Sequence, residues 1–197
     1  MRRRRDEALA GLAAELGLEW PAGTDAWEER LRASLDGEVY AEYLEYRMGP
    51  SAGPDASAGF YGFAGRHPRL ALLLQEARLE YHAAVLPAVA EALACGPHAS
   101  VVDLGCGCGL AAIWLARRFP RSRVVGVERS PGLAALAREL AGRAGVTNAG
   151  FFCGDYSQVA AGGPFDAAVS LHSMPAHFLP FVPSEAPETY RRGEALL

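Results

Sequence analysis

The chain contains no lysine; all 19 of its basic residues are arginine. That excludes Schiff-base chemistry on a lysine amine, and it excludes the phosphate-binding lysine of a P-loop. Cysteine is scarce as well. Cys95, Cys106, Cys108 and Cys153 are the four in 197 residues, and their spacing is not that of a disulfide framework. Reduced thiols in a cytoplasmic protein are the expectation. Cys106 and Cys108 flank one glycine, with no histidine or second cysteine pair at ligand spacing, so no metal site is expected. Long apolar runs are missing too: none approaches the ~20 residues that span a bilayer. The opening MRRRRDEALAGLAAELGLEW has the basic start of a signal peptide, but Asp6, Glu7 and Glu15 interrupt what would be its apolar segment. A soluble protein with no membrane partner is expected. Finally, there is little excess charge. A net charge of −4 gives no long-range attraction to nucleic acid or to an anionic membrane.

What is present, 197 residues, suits one domain or one domain with a modest appendage, and half of the residues are hydrophobic, enough to bury a core. Residues 6–17 and 25–48 have helical spacing. Leu9, Leu12, Ala13 and Leu16 share a face of the first; Trp27, Leu31, Leu35, Val39, Tyr43 and Tyr46 roughly share one of the second, with a break at Gly37. GPSAGPDASAG, residues 49–59, reads as a loop. The expected organisation is therefore a helical region over 1–48, a linker over 49–60 and a main domain over 61–197. Residues 68–94 predict one long helix, opened by Pro68 and kinked near Pro87.

From residue 99 short apolar runs alternate with helical patterns. SVVDLG, SRVVGVE, AGFFCGD and FDAAVSLHS read as strands, LAAIWLARRF and SPGLAALARELAGRAG as helices. Ser130 is placed to cap the second helix, Pro131 to open it and Gly145 to end it. Apolar strands alternating with helices predict an α/β fold: a Rossmann-like, doubly wound, mostly parallel sheet behind an N-terminal helical region.

Gly105, Gly107 and Gly109 fall within five positions just past the first strand. One glycine would serve a tight turn; three mark a loop built for close backbone approach to a ligand. The dinucleotide fingerprint has its third glycine one position later, where Leu110 stands. DLGCGCG, with Asp103 two residues before the first glycine, instead resembles the first motif of class I S-adenosylmethionine-dependent methyltransferases. The resemblance runs from about residue 99 to 178. It implies that S-adenosyl-L-methionine is the cofactor, held about Asp103, Gly105, Cys106, Gly107 and Gly109. It implies that Glu128, ending the second strand, accepts from both ribose hydroxyls, as a two-oxygen acceptor suits a cis-diol. Arg129 adjoins it. In GDY, residues 154–156, Asp155 would accept from the adenine amino group and the Tyr156 backbone N–H would donate to a ring nitrogen.

The acceptor is expected near SLHSMPAHF, residues 170–178. His172 is the candidate general base, since histidine titrates near neutral pH; Ser173 and His177 come next. The stretch lacks the N-P-P-Y-type signature of methyltransferases acting on nucleic-acid amino groups, so a small-molecule acceptor is favoured over nucleic acid. Tyr61, Phe63, His67 and Tyr81 are candidates to line its pocket, with core packing as the plainer reading. The family's sheet has seven strands, and no segment here reads as its last three. An uncovered edge at the fourth strand would favour self-association. Two other readings stand: a non-catalytic cofactor-binding or interaction protein, and an NAD-dependent oxidoreductase, in which Glu128 would also meet a ribose.

Overall fold

The structure is a computed structural model that describes residues 7–48, 53–93, 100–155 and 164–171, apart from the side chains of residues 48 and 53–58. The elements in chain order are α1 (Glu7–Glu15), α2 (Thr24–Ser34), α3 (Gly37–Met48), α4 (Gly53–Arg66), α5 (Pro68–Glu76), α6 (Leu79–Leu93), β1 (Ser100–Leu104), α7 (Leu110–Arg118), β2 (Arg123–Glu128), α8 (Pro131–Arg143), β3 (Ala149–Cys153) and β4 (Ala167–Val169).

The four strands form one sheet in the order β3-β2-β1-β4, and every pair is parallel. The chain runs outward from β1 through β2 to β3, then returns to the other side of β1 with β4. The order thus reverses beside β1, and in an open α/β sheet ligands bind outside the carboxyl ends of the strands at that point. The central strands are sealed: Val101 and Val102 of β1 and Val124 and Val127 of β2 are buried. The expected α/β sheet and its four strands are present.

The helical layer corrects three expectations. Residues 53–60 of the expected linker are helical, because α4 begins at Gly53. The single helix expected over 68–94 is two helices, broken at Ala77–Arg78, while Pro87 lies inside α6. The break is a tightened turn in which the Arg78 N–H donates to Gln75 O at 3.1 Å. Just before it, the neighbouring side chains of Gln75 and Glu76 reach separate partners, Cys108 and Arg30. The interruption expected at Gly37 does occur, and Asp36 makes it by accepting from the Glu38 N–H at 2.9 Å.

The third correction concerns packing. Two buried clusters exist, and they do not divide the chain at the expected linker. Leu9, Leu12 and Ala13 of α1, and Leu16 just after it, pack into the larger cluster with α6, α7, α8 and the sheet. Trp27 and Leu31 of α2 and Tyr43 of α3 form the smaller one with Phe63 of α4 and Leu70 and Leu73 of α5. The first helix is thus part of the α/β core, tied down by ion pairing of Arg117 with Glu15 and by Arg143 Nη1 donating to Leu16 O at 3.1 Å. The helical layer meets the sheet layer where α4 crosses the start of α8. A Cβ on Gly132 would lie 1.9 Å from Gly65 O, so the two backbones touch where neither residue carries a side chain.

At the β3 edge of the sheet, Arg138 donates from Nε and Nη2 to Phe151 O at 3.1 and 2.8 Å, which occupies part of the strand's outer edge. No described helix is long and apolar enough to cross a membrane. The expectations about the end of the chain, and about an uncovered edge beyond β4, rest on residues 172–197, which lie outside the described residues.

Candidate functional site

The glycine loop is folded by its own backbone. Gly105, Gly107 and Gly109 have φ of 74°, 55° and 85°, a region that side chains rarely adopt. The N–H groups of Gly105 and Cys106 both donate to Val127 O, at 2.8 and 3.0 Å, which ties the end of β1 to the end of β2. A Cβ on Gly109 would come within 2.7 Å of Phe151 and 2.9 Å of Ala137, so this glycine is needed for the loop to close over the sheet. A Cβ on Gly107 would meet nothing within 4 Å. Gly107 therefore leaves its backbone open to an approaching group. Leu110 opens α7 and is buried, so the place of the dinucleotide fingerprint's last glycine is filled by a core side chain.

Two carboxylates lie beside this loop. Glu128 ends β2 and is 7% exposed. Its Oε2 accepts from the Gly107 N–H at 3.0 Å and its Oε1 from the Ser130 N–H at 2.8 Å. Each oxygen keeps a second lone pair, so the carboxylate is oriented yet still able to accept two hydroxyls. Burial raises its pKa, and the N–H groups of Ser130, Gly107 and Arg129 oppose that. Its backbone carbonyl accepts from the Gly154 N–H at 3.0 Å, so Glu128 links the ends of β1, β2 and β3.

Asp103 is 1% exposed. It accepts from the backbone N–H of Ala112 in the first turn of α7, which offers three such N–H groups without helical partners. Its Oδ2 is buried with no hydrogen-bond partner. Burial, reinforced by the nearby charge of Glu128, pushes its carboxyl up to about 7. Burial also pushes the Cys106 thiol well above its ordinary range, with Asp103 and Glu128 adding to the shift. The loop thus borders an acidic pair with no arginine bonded to it among the described residues. Such an arrangement suits a group bearing hydroxyl donors and positive charge.

The remaining candidates fall unevenly. Arg129 and Asp155 are exposed at the ends of β2 and β3, on the same margin of the sheet as the loop. Tyr156, His172, Ser173 and His177 lie outside the described residues. Phe63 is fully buried, against Tyr46 at 5.2 Å and His67 at 4.9 Å between ring centroids, as core packing requires. Tyr61 is half-buried against the larger cluster. Tyr81 is exposed, edge-on to His82 at 5.6 Å. Among the described residues no group of histidine, cysteine and acidic side chains is arranged to hold a metal.

Sequence reasoning missed a polar chain that reaches the loop from the helical layer. Cys108 Sγ donates to Gln75 Oε1 at 3.4 Å, and Gln75 Nε2 lies 3.3 Å from His82 Nδ1. Its signal was available: in LALLLQEARLEYH, Gln75 and Glu76 interrupt an apolar run. Both are buried.

Residues 101–191 match the family model described as a methyltransferase domain. The release factor glutamine methyltransferase of Geobacter sulfurreducens is 52% identical over 58 residues, which are 29% of this chain and 20% of that protein. The trans-aconitate 2-methyltransferase of Deinococcus radiodurans is 38% identical over 84 residues, 41% of this chain and 30% of that protein. An RNA methyltransferase from Salinibacter ruber, solved in complex with S-adenosyl-L-homocysteine, is 29% identical, with 50% of this chain and 65% of that one covered and a TM-score of 0.42. The chain thus spans between a fifth and a third of the length of these two curated relatives.

Proposed function

We propose, from the premise that the chain carries a class I S-adenosylmethionine-dependent methyltransferase domain, that it binds S-adenosylmethionine and transfers the methyl group to a small-molecule acceptor. The observation that carries this reading is the pairing of an open glycine with an oriented carboxylate: Gly107, bare toward its surroundings, donates its N–H to the buried Glu128. The residues fit the cofactor on their own chemistry. Glu128 has two lone pairs for two ribose hydroxyls, Gly105, Gly107 and Gly109 admit a ligand against the backbone, and the orphaned oxygen of Asp103 calls for a donor or a positive charge. Asp155, with the backbone of Tyr156, takes the adenine edge; Cys106 and Arg129 flank the site.

When bound, the cofactor supplies a methyl group already activated on a sulfonium. What remains for the protein is orientation, exclusion of water and removal of one proton from the acceptor. Glu128 and the glycine loop fix the adenosine, while the acidic pair favours a cationic group over a neutral one. His172 is assigned the acceptor's proton, since its imidazole changes charge near neutral pH. A small acceptor is supported by the net charge of −4 and by the sequence Leu171-His172-Ser173-Met174 after β4, which is unlike the N-P-P-Y-type signature.

Calorimetric titration with S-adenosylmethionine and, in parallel, NAD tests the reading. Micromolar binding of S-adenosylmethionine alone is expected. Binding of NAD alone would overturn it in favour of an oxidoreductase, and binding of the methyl donor with no transfer to any acceptor would leave a non-catalytic relative. With an acceptor in hand, His172→Ala should lower the turnover number at least tenfold, and an unchanged value removes His172 from its role.

A further inference from the structure

Two arginines among the described residues are half-buried, Arg30 and Arg78. Arg30 is neutralised: it donates from Nε to Glu76 Oε2 at 2.9 Å and pairs with Glu19 Oε2 at 2.7 Å. Arg78 has no ion pair and no side-chain hydrogen bond among the described residues. A cation drawn partly out of water without an anion is unfavourable, so its position asks for a ligand that supplies one.

That position is held with care. Arg78 stands on the break between α5 and α6. Its carbonyl accepts from the His82 N–H at 2.9 Å and lies 2.8 Å from His82 Nδ1, which must therefore carry the proton. Gln75, whose backbone carbonyl accepts from the Arg78 N–H at 3.1 Å, reaches Cys108 of the glycine loop through its side chain, where Oε1 accepts from Sγ at 3.4 Å; Gln75, His82 and Cys108 are all buried. The backbone of Arg78 is thereby fixed relative to the loop. Its guanidinium lies near enough for its charge to act on the Cys108 thiol, lowering a pKa that burial has pushed up to about 11.

We propose that Arg78 binds the α-carboxylate of the amino-acid end of the ligand held at the glycine loop, so that the helical layer contributes a binding residue to the site built by the sheet. The inference rests on the cofactor reading above and extends it to a residue outside the matched domain. The surrounding charges select this anion over a phosphate. A phosphate at Arg78 would bring further negative charge toward the buried Asp103 and Glu128. An α-amino acid brings one carboxylate for Arg78 and one ammonium that the acidic pair favours.

The test compares two ligands on two proteins. S-adenosylmethionine carries the amino-acid group on a sulfonium; 5′-methylthioadenosine keeps the adenosine, the sulfur and its methyl group but is a neutral thioether without the amino-acid group, so each ligand is compared with itself on the two proteins. Arg78→Gln should weaken S-adenosylmethionine roughly 10- to 100-fold and change 5′-methylthioadenosine by no more than about twofold. Arg78→Lys, which keeps the charge without the fork, should recover part of the loss. Unchanged affinity for S-adenosylmethionine in Arg78→Gln would overturn the assignment, as would an equal loss for both ligands, which marks a structural role. Failure of the unaltered protein to bind S-adenosylmethionine would remove the cofactor reading itself, and the assignment with it.

Discussion

The glycine loop is bordered by two regions built from opposite materials. On the sheet side, Asp103 and Glu128 are buried acids whose partners are backbone N–H groups, with no cation bonded to them among the described residues. On the helical side, Arg78 is a half-buried cation with no acid paired to it among the described residues. Each region holds the charge that would neutralise the other, yet no ion pair joins them among the described residues. A fold selected for stability alone would close that gap or use apolar residues, because uncompensated buried charge is destabilising. The contrast with Glu76 is instructive. It is as buried as Asp103, but it accepts from Arg30 at 2.9 and 3.2 Å and from the Glu19 N–H at 3.1 Å. Among the described residues, the carboxylate that serves packing, Glu76, is neutralised, while the charges beside the glycine loop are not.

The largest expected effect comes from forcing the two regions apart. In Gly132→Ala the new methyl would occupy the place of Gly65 O, a backbone atom that cannot swing aside. Helix α4 must then move off α8. We expect a stability loss of about 3 kcal/mol, at the upper end for overpacked sites. Gly142→Ala, in the same helix, meets nothing within 4 Å and should stabilise by roughly 0.5 to 1 kcal/mol through helix propensity. Denaturant unfolding of the two variants gives the comparison directly. Equal effects would mean that the α4–α8 contact does not hold the helical layer in place.

A smaller effect is expected from loosening the helical side by itself. Glu76→Gln keeps the shape but sets an amide NH₂ against the Arg30 guanidinium. Breaking a buried pair costs about 3–5 kcal/mol. The Arg30 side chain retains 26% exposure and can rehydrate, so about 2 kcal/mol is expected here. The same denaturation experiment measures it. A loss under about 0.5 kcal/mol would put this pair among ordinary surface ion pairs.

The two regions were unequally legible. Between residues 100 and 155 the local signals agree with one another, and the structure follows them. Ser130 does accept from the Leu133 N–H, Pro131 does open α8, and Gly145 has a φ of 64° after its end. The loop's backbone was legible because three glycines in five positions have few uses, and all three do take positive φ. The helical layer was harder, for physical reasons. A run such as GPSAGPDASAG has weak helix propensity, and what makes Gly53–Arg66 helical is tertiary: Phe63 fills a core cavity and Gly65 admits α8. The break at Ala77–Arg78 has no proline or glycine to announce it, whereas Pro87 is tolerated within α6. That α1 belongs to the α/β core could not be read from a periodicity that shows which face is apolar and not what covers it.

The smallest expected effect probes the sheet side alone, through pH. The carboxyl of Asp103 is raised from 3.8 to about 7 in the folded chain, by burial first and by Glu128 second. Below pH ~4 both folded and unfolded chains hold the proton, and the group contributes no slope. Between about 4 and 7 the unfolded chain has lost the proton while the folded chain keeps it. The folded state then binds more protons, so stability falls as pH rises, by at most about 1.4 kcal/mol per unit. Above pH 7 both states are ionised and the loss is complete. Glu128 is raised as well and adds a slope of the same sign, opposed by its backbone donors. Asp103→Asn removes one contribution and leaves the other. Its amide oxygen can still accept from the Ala112 N–H, and it never ionises. Between pH 6 and pH 7, without ligand, the unaltered protein should therefore lose about 1 kcal/mol more than the variant. Parallel pH profiles would show that Asp103 already has a compensating partner when the site is empty, and the contrast between an acidic sheet side and a cationic helical side would lose its first member.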